Sequence, residues 1–214
     1  MLLCLLTPFT VPPTVAQAQD FGLLESAETI NKGNFKLRVS PLLMVGKNVE
    51  DEPGVAVLAG YGFTSNFDVE GGVALYDGVT FWGAAAKVWL VKERRFDCSV
   101  AGGLHRRTGD RTPGLPVADG VVGLDLSFLA SGHVTRRLEL YGGVDLAFEG
   151  VGASSSPLSS GHLLPNPEDF KTVHLVPGIL FRITDNVGFV AEAGVALNES
   201  ARHYIAGGLA FYVR

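Results

Sequence analysis

The sequence has few cysteines, no long apolar run beyond its start and no block of charges of one sign. Cys4 and Cys98 are the only cysteines among 214 residues, which excludes a framework of several disulfides. Beyond the N-terminus, no apolar stretch approaches the roughly 18–20 residues of a membrane-spanning helix, which argues against a helical membrane bundle. Seventeen basic and 22 acidic side chains give a net charge of −5. Without a long basic run, nothing indicates a nucleic-acid partner.

Apolar residues are nevertheless abundant, and they recur at every second position. They make up 47% of the chain, beside 27 glycines, and the mean hydropathy is +0.26. In LELYGGVDLAFE, residues 138–149, apolar side chains occupy one parity, while glutamate, tyrosine and aspartate occupy the other. Successive side chains of a strand point to opposite sides, so this pattern predicts strands with one apolar and one polar face.

The first residues, MLLCLLTPFTVPPTVAQAQ, combine an apolar segment with Ala16-Gln17-Ala18, a small-x-small cleavage pattern. We expect residues 1–18 to be a secretory signal peptide and Gln19 to begin the mature chain. An N-terminal core helix is the alternative, which two adjacent prolines and the lack of a polar face disfavour. Removal of the signal would leave Cys98 as the single cysteine, without an internal disulfide.

Four polar triplets, 64–66, 92–94, 135–137 and 184–186, separate alternating segments and predict short hairpin loops. Residues paired across a hairpin face the same side, and the parity is kept at all four loops. The predicted pairs are Phe63 with Phe67, Tyr61 with Val69, Leu90 with Phe96, Val88 with Cys98, Val134 with Leu138, Phe128 with Val144, Ile183 with Val187, and Phe181 with Phe189.

The connections between these hairpins are mostly longer. They fall near 47–53, Asp77-Gly78, 106–118, 150–169 and 198–202. With a first strand at 35–45 and a last at 203–214, the chain is predicted to form about ten strands. An even number of strands places both termini at the end with the short turns.

This pattern resembles the bacterial outer-membrane β-barrels over nearly the whole chain: a signal peptide, alternating strands, short turns at one rim, long loops at the other, and an aromatic last strand. The resemblance implies an all-β, closed, antiparallel up-and-down transmembrane β-barrel in a Gram-negative outer membrane. It also implies a periplasmic segment at 19–33, a barrel at 34–214, and lipid and lipopolysaccharide as partners. Strict members of the class often end on an aromatic residue, whereas this chain ends on Arg214.

A secreted soluble ligand-binding β-barrel, with the apolar face inward, is the alternative architecture. Five phenylalanines on the apolar parity favour the membrane, because they cluster near the short turns, where an interfacial aromatic girdle would lie. They are Phe63, Phe67, Phe96, Phe181 and Phe189.

Four strands contain a double glycine, at 71–72, 102–103, 142–143 and 207–208. Glycine weakens a strand and tends to mark bends or close approaches. We interpret one glycine of each pair as facing the lumen and helping to shape the barrel; the alternative is that these are merely tolerated small residues.

The polar parity carries ten charged side chains that we place in the lumen: Lys36, Arg38, Glu70, Lys87, Asp97, Asp125, Glu139, Asp145, Arg182 and Glu192. In so narrow a barrel, such charges must be paired or hydrated. Paired, they would plug a structural or recognition barrel that acts through its loops. Hydrated, they would line a narrow passive pore for small solutes, and the excess of acids would favour cations.

Catalytic and metal motifs such as G-x-S-x-G and H-E-x-x-H are missing. We therefore expect no enzyme, cofactor or metal, and an outer-membrane hydrolase with residues at the loop rim is only an alternative. Its candidates would be His105 with Asp110, His162 beside Ser159 and Ser160, and His203 near Glu199. Glu50-Asp51-Glu52 with Asn48 is expected to be a solvated loop, and His133 to form a structural ion pair with Glu139.

Overall fold

The computed structural model describes residues 26–45, 51–76, 79–93, 95–108, 121–149, 172–199 and 201–213, which form ten strands. These are β1 (Phe35–Val45), β2 (Glu52–Gly62), β3 (Phe67–Tyr76), β4 (Val79–Lys92), β5 (Asp97–Thr108), β6 (Val121–His133), β7 (Leu138–Glu149), β8 (Thr172–Arg182), β9 (Val187–Ala196) and β10 (His203–Val213). The predicted signal peptide, residues 1–18, lies outside the described residues. In the described part of the chain, no helix is long and apolar enough to cross a membrane.

Each strand pairs antiparallel with its neighbour in sequence, and β10 pairs with β1 to close the sheet. The predicted all-β, closed, up-and-down barrel of ten strands is confirmed. Closure leaves no strand edge unpaired, which is the condition for a sheet to lie in hydrocarbon. β5 extends to Thr108, into the loop predicted at 106–118.

The registers predicted at three of the four short turns are confirmed. Tyr61 pairs with Val69, Phe128 with Val144, and Phe181 with Phe189. At the turns, the backbone N–H groups of residues 63, 134 and 183 donate to the carbonyls of residues 67, 138 and 187 at 2.9–3.1 Å.

The register predicted for β4 and β5 is wrong. Cys98 pairs with Val91 and Val88 with Val100, because the last pair before the turn is Lys92 with Asp97, and a bulge between Trp89 and Val91 shifts the register by one further residue. A bulge adds a residue without turning the rest of the strand over. Lys87 and Asp97 therefore still share the buried face.

The apolar face of the sheet points outward. Leu104, Phe128 and Ile205 are 54%, 51% and 59% exposed, whereas Arg38 on the other face is fully buried. This is the reverse of a soluble calyx. Of the five phenylalanines near the short turns, four are exposed and Phe67 is half-buried.

Within the double glycines, the two residues meet different surroundings. A Cβ atom added at the inward Gly72 would lie 2.5 Å from the carbonyl oxygen of Val57. A Cβ atom added at the inward Gly208 would overlap the carbonyl oxygen of Val39. At the outward Gly102 and Gly207, the nearest atoms would be 3.9 and 3.7 Å away. Close approach of neighbouring strands therefore requires glycine at the inward positions.

Candidate functional site

The ten charged side chains predicted for the lumen lie on the inward parity of their strands. Seven are buried: Lys36, Arg38, Lys87, Asp97, Glu139, Asp145 and Glu192. The other three, Glu70, Asp125 and Arg182, are half-buried. These side chains form separate groups along the barrel axis rather than one continuous lining.

One group lies near the short turns, on β1, β3 and β4. The Lys36 ammonium donates to Glu70, and the Lys87 ammonium lies 3.8 Å from Asp68 and 3.9 Å from Glu70. Asp68 is fully buried, and it is an inward charge that the predicted set of ten omitted. Buried charges of opposite sign stabilise one another only with close geometry, which these three strands supply.

Residues Ser26–Asn34, which we call the N-terminal plug, occupy the same end of the barrel. Ala27 is fully buried and belongs to the cluster of apolar side chains in the barrel interior. The Ser26 hydroxyl donates to Glu139, the backbone N–H of Ile30 donates to Asp68 at 2.6 Å, and the Thr29 hydroxyl donates to the carbonyl of Ser65 at 2.9 Å. The periplasmic segment predicted at 19–33 stays a prediction for residues 19–25, outside the described residues, while residues 26–33 contact the barrel.

Two glycines of β2 form the seat of the plug. A Cβ atom added at Gly60 would lie 2.5 Å from Cδ1 of Ile30, and one at Gly62 would overlap the carbonyls of Ile30 and Asn31. The plug then turns through Gly33, whose φ of 80° favours glycine, and the Gly33 N–H donates to the carbonyl of Gly62 at 2.8 Å. These contacts hold the chain against β2 before it enters β1.

Glu28 is the charged centre of the plug. One of its carboxylate oxygens lies 2.8 Å from Nε2 of His133, and the other accepts from Arg182 at 2.7 Å. The predicted ion pair between His133 and Glu139 is therefore wrong, because His133 pairs with Glu28 instead. His133 and Glu139 are opposite in register, but Glu139 accepts a hydrogen bond from Ser26.

A potential ligand set for a metal lies beside this pair. One oxygen of Glu28, one of Asp97 and a ring nitrogen of His133 lie within 4.8 Å of one another. Asp97 is buried and accepts from the indole N–H of Trp89 at 3.1 Å.

Further along the axis, Arg38 of β1 and Glu192 of β9 meet in the barrel interior. Their side chains are fully buried with 3.4 Å between Nη2 and Oε2. The Tyr141 hydroxyl donates to Glu192 at 2.7 Å, and Nε of Arg38 donates to Ser40 at 2.8 Å. These groups are buried in the barrel interior among apolar side chains such as Leu180 and Val190.

The half toward the longer connections divides into an apolar and a polar side. Buried Leu42, Met44, Tyr76, Val79 and Phe81 belong to β1, β3 and β4. On the strands that follow, β5 to β8, Nδ1 of His105 lies 2.8 Å from Asp125, the Ser127 hydroxyl donates to Asp145, and Nε2 of His174 lies 2.8 Å from the carbonyl oxygen of Arg202.

An ion pair joins β2 to the β9–β10 connection at the same rim. Nη1 of Arg202 lies 2.9 Å from Glu52, which the sequence placed in a solvated acidic loop. Burial lowers the pKa of Arg202, and the charge of Asp51 opposes this shift.

Most of the catalytic candidates stay predictions, because Asp110, Ser159, Ser160 and His162 lie outside the described residues. Nδ1 of His105 lies 2.8 Å from Asp125. Nδ1 of His203 accepts the backbone N–H of Ala196 at 3.1 Å, which occupies one ring nitrogen with a structural contact.

Comparison with known proteins gives similarity of architecture only. No protein-family model and no curated protein matches the chain. Similar solved structures include the KdgM porin, with 12% identity, 82% of this chain and 98% of that chain covered and a TM-score of 0.46. An outer membrane channel from Pseudomonas putida F1 has 8% identity, 88% and 98% coverage and a TM-score of 0.49. The translocator domain of autotransporter NalP from Neisseria meningitidis has 10% identity, 83% and 87% coverage and a TM-score of 0.47. Such values assign no residue role to this chain.

Proposed function

We propose that this protein is an outer-membrane barrel with a closed lumen, acting as a structural or recognition barrel rather than as a permanently open pore. The location is supported by the outward face, where Leu104, Phe128 and Ile205 stand more than half exposed among many other apolar side chains. A soluble protein rarely exposes contiguous apolar patches beyond a few hundred Å². Lipid, and lipopolysaccharide in the outer leaflet, would cover this face.

The orientation follows from the two rims. Barrels of this membrane have short turns on the periplasmic side and longer loops outside. The four short turns, the start of β1 and the end of β10 lie at one rim, so we place the N-terminal plug at the periplasmic rim of the barrel. The connections at 46–51, 109–120 and 150–171 would then face the exterior, where a recognition function would reside.

The proposal of a closed lumen rests mainly on the burial of paired charges inside the barrel. Arg38 is fully buried and Glu192 is 4% exposed, and the two are joined as an ion pair. A hydrated pore would leave such groups in contact with water. Below them, the N-terminal plug binds side chains of β3, β4, β6, β7 and β8.

Conductance across a planar lipid bilayer tests this proposal directly. The full chain, refolded in detergent, should insert without discrete current steps, with insertion checked by proteolytic protection of the strands. A matched variant, Asp185→Asn, changes a charge in an exposed short turn and should behave identically. Discrete steps with cation preference in both proteins would contradict the closed lumen and favour the narrow passive pore for small solutes.

The plug can be tested separately through its seat on β2. Gly62→Ala adds a methyl group that overlaps the carbonyls of Ile30 and Asn31, so it should displace the plug. Amide hydrogen exchange at residues 29–34 should become at least about tenfold faster, because a displaced segment opens more readily. Outward Gly102→Ala meets no atom closer than 3.9 Å and should leave these rates unchanged.

A further inference from the structure

We propose that Glu28, Asp97 and His133 bind a divalent transition-metal ion, with Zn²⁺ as the best-matched ion, and that this ion fastens the N-terminal plug to the barrel wall. The three residues come from three separate segments: the plug, the start of β5 and the end of β6. Because they are far apart in sequence, no motif spacing could reveal them. The inference does not depend on where the barrel is located.

The geometry is that of a ligand set. The donor atoms of the three residues lie within 4.8 Å of one another. Zn²⁺ binds histidine nitrogen and carboxylate oxygen at about 2.0–2.2 Å in tetrahedral geometry, so the ligand atoms around one ion lie roughly 3.4 Å apart. A small rotation of the side chains therefore suffices, and the ion would take the place of the contact between Glu28 and His133.

Two buried polar atoms beside this set provide the second observation. Oε2 of Glu139 and Oγ of Ser131 make no hydrogen bond of ordinary length among the described residues, and a longer hydrogen-bonding contact joins the Ser131 hydroxyl to Glu139. Glu139 lies opposite His133 in register, and Ser131 lies opposite Asp97. Both residues are at least 97% buried. Buried polar atoms without partners are rare and often mark a bound ion or water.

The balance of charge at this rim also favours a cation. Glu28 is close enough to both Asp97 and Glu139 to repel their carboxylates. Arg182 pairs with one oxygen of Glu28, and the Lys87 ammonium donates to the carbonyl of Ser26 instead of to a member of this group. Three carboxylates therefore face the Arg182 guanidinium, His133 and the Lys92 ammonium that acts on Asp97, and a divalent ion would offset the remaining negative charge.

The site is open to water from the short-turn rim. The side chains of Glu28 and His133 are 26% and 29% exposed, and that of Arg182 is 42% exposed. An ion can therefore enter without unfolding of the barrel, while Asp97 supplies a buried ligand. Arg182 would keep Glu28 oriented by holding its second oxygen.

The test is a Zn²⁺ titration of the full chain, refolded in detergent and freed of metal with a chelator. Calorimetry should show one ion bound per chain, and hydrogen exchange at residues 29–34 should slow when Zn²⁺ is added. His133→Gln and Glu28→Gln should each weaken binding by on the order of 10–100-fold and remove the slowing. His203→Gln, which changes a histidine outside the group, should retain both effects.

Other outcomes would overturn the proposal. No saturable Zn²⁺ binding would show that Glu28, Asp97 and Glu139 are compensated by protons and by Arg182 alone. Equal binding by His133→Gln, Glu28→Gln and the parent chain would place any bound ion elsewhere. If His133→Gln does not refold, the test rests on Glu28→Gln and Asp97→Asn. An unchanged affinity for Zn²⁺ in both variants would contradict the proposed site.

Discussion

Near its short turns the barrel interior is filled by paired charges and by the N-terminal plug, whereas toward the other rim β1, β3 and β4 fill it with apolar side chains. Asp68 and Glu139 are buried in the first region, and Phe81 and Met44 in the second. Apolar packing needs matching volume only, while a buried charge also needs a partner in correct geometry. The charged region therefore depends on residues from distant parts of the chain, and the apolar region on its neighbouring strands.

The largest effect is expected in the apolar region. Phe81 is fully buried and packs edge-on against Tyr76, with 5.6 Å between ring centroids. Phe81→Ala should lower the free energy of unfolding by about 4 kcal/mol, because it leaves a cavity as well as removing burial. Urea unfolding in lipid vesicles measures this change in the free energy of unfolding. Phe81→Leu is the control and should cost about 1 kcal/mol; equal losses for the two variants would mean that the apolar side is loosely packed.

The second largest effect is expected at the buried ion pair between Arg38 and Glu192. Arg38→Met removes one partner of a fully buried ion pair and leaves Glu192 facing Tyr141 and Tyr204. The expected loss is about 3 kcal/mol, since a buried charge without its ion partner is costly. Adding Glu192→Gln should recover part of this loss in the same unfolding experiment. A double variant less stable than Arg38→Met would argue that Glu192 is held by the tyrosines instead.

A matched pair of substitutions tests the two glycines of one doublet. Gly208→Ala, on the inner face, would overlap the backbone carbonyl of Val39, whereas the outward Gly207→Ala meets its nearest atom at 3.7 Å. We expect a loss of about 2 kcal/mol for the first, from overpacking, and within about 0.5 kcal/mol for the second. Similar stabilities in thermal unfolding would make these glycines tolerated small residues rather than shaping elements.

The smallest effect lies at the short-turn rim. The Lys92 ammonium lies 4.1 Å from the centroid of the Trp89 ring, and the side chain is exposed. Lys92→Ala should lower the free energy of unfolding by about 0.5 kcal/mol, as expected for an exposed cation–π contact. Lys92→Arg should retain the cation–π contact and the parent stability. The tryptophan fluorescence maximum should shift in Lys92→Ala but not in Lys92→Arg. An unaltered fluorescence spectrum would speak against the contact.

The fold could be predicted because its signal is local. Alternation assigns each residue to a face, and a short turn fixes the register of two strands, as at Phe128 and Val144. The bulge near Trp89 could not be predicted, because the alternation is intact on each side of the inserted residue. The same parity predicts that Lys36 and Glu139 face inward, but it does not predict which groups bind their side chains.

The N-terminal plug could not be predicted, since its nine residues lack alternation and its contacts lie far away in sequence. Glu28 and Arg182 are 154 residues apart. The available hint was the inward-facing pair Gly60 and Gly62, where the absence of side chains leaves room for another segment. Asp68 was missed although its parity matched that of Glu70.

The spread of the plug's contacts sets an order of events during folding. Its hydrogen bonds and ion pairs reach β2, β3, β4, β6, β7 and β8, so its binding site exists only after these strands have curved into one wall. Contacts between residues so distant in sequence form slowly, because a long chain must first be brought together. We therefore expect the N-terminal plug to bind among the last steps of folding, once the barrel has reached its final curvature.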